Sequence, residues 1–262
     1  MPAEGAAYSC ATKPLPPGGG FLLLRMDAAI LPANGGMELA MRAVIFANGR
    51  FDNPDEARAL LRDEDLIVAV DGGTRHAWES GVDPQLVVGD LDSLTEAEQL
   101  RVQRAGTEMV KFPPRKDQTD MELALHHVVS RGATEIVILA ALGGRLDQTM
   151  ANLLLLTLPE LADRDVRVVQ GGQIAFVIRD RAQIDGRAGD TVSLIPLGGD
   201  ARGVATEGLE YPLNNETLRF GLARGVSNVL RESPAYVRVR QGMLLCVVTH
   251  SVDATENDRR GG

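Results

Sequence analysis

Residues 66–74 read LIVAVDGGT. Five apolar residues follow one another without a polar break, and then come an aspartate, two glycines and a threonine. An amphipathic helix would interrupt such a run every third or fourth position, and a half-exposed strand would alternate it. A short unbroken run closed by glycines fits a strand buried on both faces, as in a parallel sheet covered by helices. The same texture recurs at AVIF (43–46), LVV (86–88), MVKF (109–112) and IVILAAL (136–142).

Helix starts with recognisable chemistry lie between these runs. Asn53-Pro54 places a capping side chain before a proline at the first helical position. TEAE (95–98) and TDME (119–122) fit a capping box, with threonine at the cap and glutamate three residues on. MELALHHVVSRG (121–132) closes on Gly132, a C-terminal stop. Strands alternating with helices predict a mostly parallel α/β sheet domain over residues 41–164.

Further along, the texture changes. VRVVQ (166–170), IAFVI (174–178), TVSLI (191–195), YVRVR (236–240) and LLCVVTH (244–250) are short β-branched runs parted by Gly, Asp and Pro. They predict an all-β sandwich domain over 165–253, with a disordered tail at 254–262. Residues 1–40 read as a disordered extension. KPLPPGGG (13–20) is rich in Pro and Gly, and FLLLRMDAAIL (21–31) is broken by Arg25 and Asp27. Met37 or Met41 is an alternative natural start.

Composition narrows the function classes. The chain has 262 residues, 44% of them hydrophobic, enough for one or two domains with a sizeable core. A formal charge of −9 with no basic run argues against nucleic acid as a main partner. Cys10 and Cys246 are too few for a disulfide framework, so a reducing cytoplasm is the expected compartment. No apolar stretch approaches the ~20 residues of a membrane-spanning helix.

The acids carry the chemistry. Asp71 closes LIVAV, and Asp90 and Asp92 lie in GDLDS after LVV. Asp117 and Asp120 fall in RKDQTD, after MVKF, and Asp147 lies in LGGRLDQ, after IVILAAL. All sit at carboxyl ends of predicted parallel strands, the edge where open α/β sheets bind ligands. Any single one is also a good cap or turn former. Two carboxylates as close as Asp90 and Asp92 repel each other unless a cation lies between them. Clustered carboxylates suit a hard divalent cation such as Mg²⁺. Gly72-Gly73 and Gly143-Gly144 allow close backbone approach, while Arg115, Lys116 and Arg145 can neutralise phosphate oxygens. Together these are the parts of a phosphoryl-transfer site. Neither GxxxxGK[ST] nor GxGxxG occurs. DLDSL (90–94) comes near the DxDx[TV] pattern of haloacid-dehalogenase phosphatases, but it has Leu94 at the last position and follows the third strand. His76, His126, His127 and His250 lack zinc spacing, and Trp78 reads as a packing residue.

DGGT (71–74), GDLDS (89–93), KDQTD (116–120), GGRLDQ (143–148) and RGVSN (224–228) occur in an order and spacing that resemble the thiamine pyrophosphokinase family, over about residues 41–250. The resemblance implies a homodimer with an α/β domain and a β-sandwich domain. It implies an Mg²⁺-dependent diphosphotransferase that moves pyrophosphate from ATP to thiamine, giving thiamine diphosphate and AMP. Carried over residue by residue, Asp90, Asp92 and Asp120 are the metal ligands, and Asp71 orients a substrate or accepts the alcohol proton. Lys116 and Arg145 contact phosphate, Asp117 and Asp147 support them or touch the nucleotide, and Ser227 and Asn228 contact thiamine across the subunit interface. Two other readings stand beside it. A related pyrophosphokinase would use a pterin alcohol, and a non-catalytic sensor would keep the crevice without needing every acid. RGVSN and the β domain favour thiamine, and the intact acid set favours an enzyme.

Overall fold

The five apolar runs of the first half, joined by VRVVQ, become six parallel strands. They are β1 (Met41–Phe46), β2 (Leu66–Val70), β3 (Leu86–Val88), β4 (Glu108–Val110), β5 (Ala133–Leu139) and β6 (Asp165–Gln170). The structure is a computed structural model that describes residues 41–90, 92–111 and 117–251. The expected extension at 1–40, the tail at 254–262 and Lys116 therefore lie outside the described residues. The spatial order is β4-β3-β2-β1-β5-β6, with Ile45 level with Val68 on one side and Ile138 on the other.

Five helices cover the two faces: α1 (Pro54–Leu60), α2 (Gly73–Glu79), α3 (Glu96–Arg104), α4 (Asp120–Ser130) and α5 (Leu146–Leu155). Side chains alternate across a strand, so a run buried on both faces feeds two cores. Val44, Phe46, Ile67, Val137 and Leu139 pack with Ala57 of α1 and Ala77 of α2. Ala69 and Val87 on the same face pack with Val102 of α3. Their neighbours Ile45, Val68, Val88 and Ile136 face the other way, against Met121, Ala124, Leu125 and Val128 of α4. The helices start where the caps were expected. Asn53 accepts from the Glu56 amide, Thr95 forms a full capping box with Glu98, and Thr119 accepts from the Glu122 amide.

At the opposite edge, the Arg42 guanidinium is buried against Asp65 at 2.5 Å and Glu135 at 2.8 Å. This joins the amino ends of β1 and β5 to the turn before β2. A buried pair of this kind is costly to break by removing one partner, about 3–5 kcal/mol.

The change of texture near residue 165 is real, but β6 lies on the parallel side of it. Asp165–Gln170 pairs in parallel with β5 through Glu135↔Asp165 to Leu139↔Val169. Antiparallel pairing begins only after the Gly171-Gly172 turn, with β7 (Gln173–Ile178). There follow β8 (Arg181–Ile184), β9 (Thr191–Glu207), β10 (Glu216–Leu218), β11 (Asn228–Val229), β12 (Ala235–Arg238) and β13 (Gln241–Thr249). The hydrogen-bonded path continues β6-β7-β13-β9-β12-β8, with β10 and β11 on β9. Leu244, Cys246 and Val248 of β13 share a second core with Val192, Leu194, Leu230 and Val237. Leu245, one residue out of phase, packs into the α/β core instead. Arg179, just past β7, adds a polar tie: its Nη2 donates to the carbonyls of Leu156 and Leu158 at the end of α5.

Candidate active site

Reversal of strand order about β1 and β5 makes the carboxyl edge beside β1 a topological switch point, where loops diverge and leave a crevice. The loop after β1 is held there by backbone bonds. The Gly49 amide donates to the Ala140 carbonyl at 2.7 Å, and the Arg50 amide to the Leu142 carbonyl at 2.9 Å. His76 of α2 braces the same loop, with Nε2 3.2 Å from the Gly49 carbonyl and its ring against Phe51.

Asp71 leaves β2 in the left-handed region (φ 47), its amide bonded to the Val88 carbonyl at 3.1 Å. Its own carbonyl accepts from the Thr74 amide and hydroxyl, which opens α2. This twist turns the Asp71 carboxylate over the end of β3. A Cβ on Gly89 would fall 1.8 Å from Asp71 Oδ1, and Gly89 itself has φ 144. Only glycine fits this position. Asp71 is thus brought to the very loop that carries Asp90 and Asp92. In that loop Asp90 Oδ1 accepts the Asp92 amide at 3.0 Å, so the two acids are spaced by a local turn. The Gly89 amide bonds the Val110 carbonyl, which aligns the ends of β3 and β4. Asp117 is exposed beyond β4, and Asp120 is the first residue of α4, directly after the Thr119 cap.

Arg145 and Asp147 open α5. The Arg145 guanidinium grips Asp147 with both ends, Nε to Oδ1 at 3.1 Å and Nη2 to Oδ2 at 2.5 Å. The hydrogen bond to Arg145 holds the Asp147 carboxyl below its ordinary range. Both side chains are exposed, and a solvated pair of this kind exchanges partners at little cost.

RGVSN lies in the antiparallel part. Ser227 is exposed at a turn with φ 61. Asn228 is turned inward: Oδ1 accepts the amides of Tyr211 and Val229, and Nδ2 donates to the Tyr211 carbonyl at 2.8 Å. The side chain ties the segment bearing exposed Tyr211 to β11, an internal role that sequence reading did not anticipate.

Sequence reading also missed Asn48. A Cβ on Gly72 would lie 2.3 Å from Asn48 Oδ1, so this amide covers the first glycine of DGGT. The available signal was that β1, like the acid-bearing strands, ends at the same edge with a polar residue and a glycine. Arg75 was missed as well. Its Nη2 donates to the Ser93 carbonyl at 2.6 Å, and Nε and Nη2 hold Glu98. Together with the Thr95 amide, this pair draws the Glu98 carboxyl down to about 2.

Comparison with known proteins identifies the family. Residues 57–169 match the family described as thiamin pyrophosphokinase, catalytic domain, and residues 178–244 match its vitamin B1 binding domain. The first stretch lies within the parallel part of the fold, from α1 to β6, and the second lies within the antiparallel part. This chain belongs to the thiamine pyrophosphokinase family. The thiamine pyrophosphokinase of Bacillus subtilis (strain 168) is 29% identical over 184 residues, covering 70% of this chain and 86% of that protein. The crystal structure of thiamine pyrophosphokinase from Bacillus subtilis superposes with a TM-score of 0.73 at 25% identity, over 80% of this chain and all of the other. That of Geobacillus thermodenitrificans gives 0.71 at 27%, over 81% of this chain and 99% of its own. A thiamine pyrophosphokinase uses ATP as co-substrate and delivers its pyrophosphate to thiamine. Among the described residues no helix is long and apolar enough to cross a membrane.

Proposed function

We propose that the crevice at the carboxyl ends of β1 to β5 transfers pyrophosphate from ATP to the hydroxyethyl group of thiamine, with AMP as leaving group and Mg²⁺ as the metal. The observation that carries this reading is the Asp71 carboxylate lying against Gly89, at the root of the Asp90–Asp92 loop. Asp90 and Asp92 follow Gly89 closely in the chain, so acids from two neighbouring strand ends lie on adjoining loops. Hard oxygen donors of this kind fit Mg²⁺. Among the described residues no three His, Cys, Asp or Glu side chains form a ready-made metal cluster. In the free chain the acids assigned to the cation are therefore not drawn together, and water and substrate phosphates would complete its shell. Asp90, Asp92 and Asp120 would hold it, and when bound it would supply charge neutralisation along the phosphates.

The chain's own groups do the rest. Asp71 is placed to orient the thiamine hydroxyl or take its proton as the oxygen attacks the β-phosphorus. Arg145 turns from Asp147 to phosphate oxygens, and Lys116 is assigned the same duty. Asp117 and Asp147 stay beside the nucleotide. Catalysis of this type is mostly positioning and electrostatics, so fixed loops matter more than a strong nucleophile.

Thiamine is assigned to Ser227 and the segment anchored by Asn228, contributed by a second copy of the chain. Support comes from α5, where Leu146, Met150 and Leu154 repeat every fourth residue and are 76%, 51% and 50% exposed. Phe220 and Leu222 beside RGVSN, and Val226 within it, are likewise exposed. Apolar surface of this extent on one chain marks an interface, and a twofold one covers it economically. Incubation with ATP, Mg²⁺ and thiamine tests the function: AMP and thiamine diphosphate are expected, and ADP would overturn it.

A further inference from the structure

We propose that Arg75 is a positioning residue that sets the Asp90–Ser93 loop for cation binding, by clamping the Ser93 carbonyl and Glu98 from α2. The inference rests on the assignment of Asp90 and Asp92 as cation ligands. Arg75 stands one helical turn after Asp71, on the helix that Asp71 opens. Its guanidinium reaches across to the loop after β3, with Nη2 2.6 Å from the Ser93 carbonyl. Nε and Nη2 also take both carboxylate oxygens of Glu98, at 2.6 and 2.9 Å. Glu98 Oε2 in turn accepts the Thr95 amide at 2.7 Å and the Thr95 hydroxyl at 2.9 Å. One cation therefore joins three things: the helix that begins at Asp71, the backbone next to Asp92, and the cap of α3.

The choice of partners explains why an arginine is tolerated here. Carboxylates as near in the chain as Asp90 and Asp92 repel one another without a cation, which works against a fixed loop. A guanidinium bonded directly to Asp90 or Asp92 would hold the loop but compete with Mg²⁺ for the same oxygens. Arg75 holds it through a main-chain carbonyl and the capping Glu98, so its bonds leave both aspartates to the metal. The planar fork makes this three-point grip possible, and an ammonium reproduces only part of it.

The experiment measures Mn²⁺ binding by electron paramagnetic resonance in the presence of a non-hydrolysable ATP analogue, for the full chain and for Arg75→Met, Arg75→Lys and Glu98→Gln. Arg75→Met should lower Mn²⁺ affinity by about tenfold, the effect of losing a group that orients metal ligands. It should raise the Mg²⁺ concentration for half-maximal rate in parallel, while the KM for thiamine stays within about twofold. Arg75→Lys should recover part of the loss, because an ammonium still reaches the Ser93 carbonyl. Unchanged Mn²⁺ affinity in Arg75→Met overturns the inference, as does an equal defect in the Lys and Met variants. If Arg75→Met fails to fold, Glu98→Gln decides: weakened Mn²⁺ binding supports the clamp, and wild-type binding overturns it. A wild-type chain that binds no Mn²⁺ removes the cation assignment and this inference with it, a result distinct from equal binding by wild type and variant.

Discussion

The Asp71 carboxylate lies so close to Gly89 that a methyl group there would sit 1.8 Å from its Oδ1. Two strands that are neighbours in the sheet are thereby coupled at their functional ends, one by its acid and the other by its lack of a side chain. Gly89→Ala should therefore act as an active-site mutation although it touches no substrate. The new methyl forces Asp71 to rotate or the loop to move by about an ångström, a misplacement worth roughly 100-fold in rate. A turnover within about threefold of wild type, roughly 0.7 kcal/mol of barrier, would show that the position of Asp71 is unimportant. Circular dichroism should confirm that the variant is folded.

Asp92→Asn separates charge from shape. The amide keeps the volume of the carboxylate and removes one negative charge beside Asp90. Turnover should fall steeply, while the melting temperature of the ligand-free protein holds or rises, since like-charge repulsion is relieved. Activity within about threefold of wild type rules out an essential ligand role.

Acid sensitivity should centre on Asp190, which is fully buried before β9. Burial alone would push its carboxyl up. The amides of Arg187 and Ser251 and the His250 ring outweigh that and hold it below its usual value. A lowered carboxylate contributes stability that is complete above the ordinary Asp value and disappears as pH falls through the folded one. Asp190→Asn should therefore melt well below wild type at neutral pH. The gap should narrow below about pH 4. Melting curves for both proteins down the acid limb test this, and a gap that stays constant there would contradict it.

What was legible in the sequence, and what was not, follows from physics at particular residues. LIVAV and its companions could be read because burial on both faces leaves no polar position. Their order then put Asp71, Asp90 and Asp92 at one edge. The parallel pairing of β6 was hidden because Arg167 interrupts VRVVQ: it pairs with Asp165 and lies over Phe176, so the run alternates like an antiparallel strand. Asn48 was silent because Asn-Gly reads as a turn until Gly72 is seen beneath it. Arg75 was silent because an arginine on a helix reads as a solvated side chain. Asn228 was legible only as part of a motif, since the two bonds that tie it to another segment reach Tyr211, 17 residues away.

The last prediction concerns where thiamine is held. The acids lie on the parallel part of the fold, whereas RGVSN and Tyr211 lie on the antiparallel part. The α5 stripe of Leu146, Met150 and Leu154 is exposed in the single chain, so a second copy is expected to cover it. Sedimentation should give a dimer, and Met150→Glu should shift it toward monomer by placing a charge in the apolar seam. Asn228→Ala cuts the bonds that hold Tyr211, and it should raise the KM for thiamine by about tenfold while leaving that for ATP within about twofold. Mixing Asn228→Ala with inactive Asp92→Asn then makes a sharper test. In a mixed dimer, one crevice combines intact acids from one chain with an intact Asn228 segment from the other, and activity should return. Neither variant alone may be active at the thiamine concentration used, and subunit exchange must be shown separately by mass or by fluorescence transfer. Exchange without any return of activity would place both halves of the site within one chain.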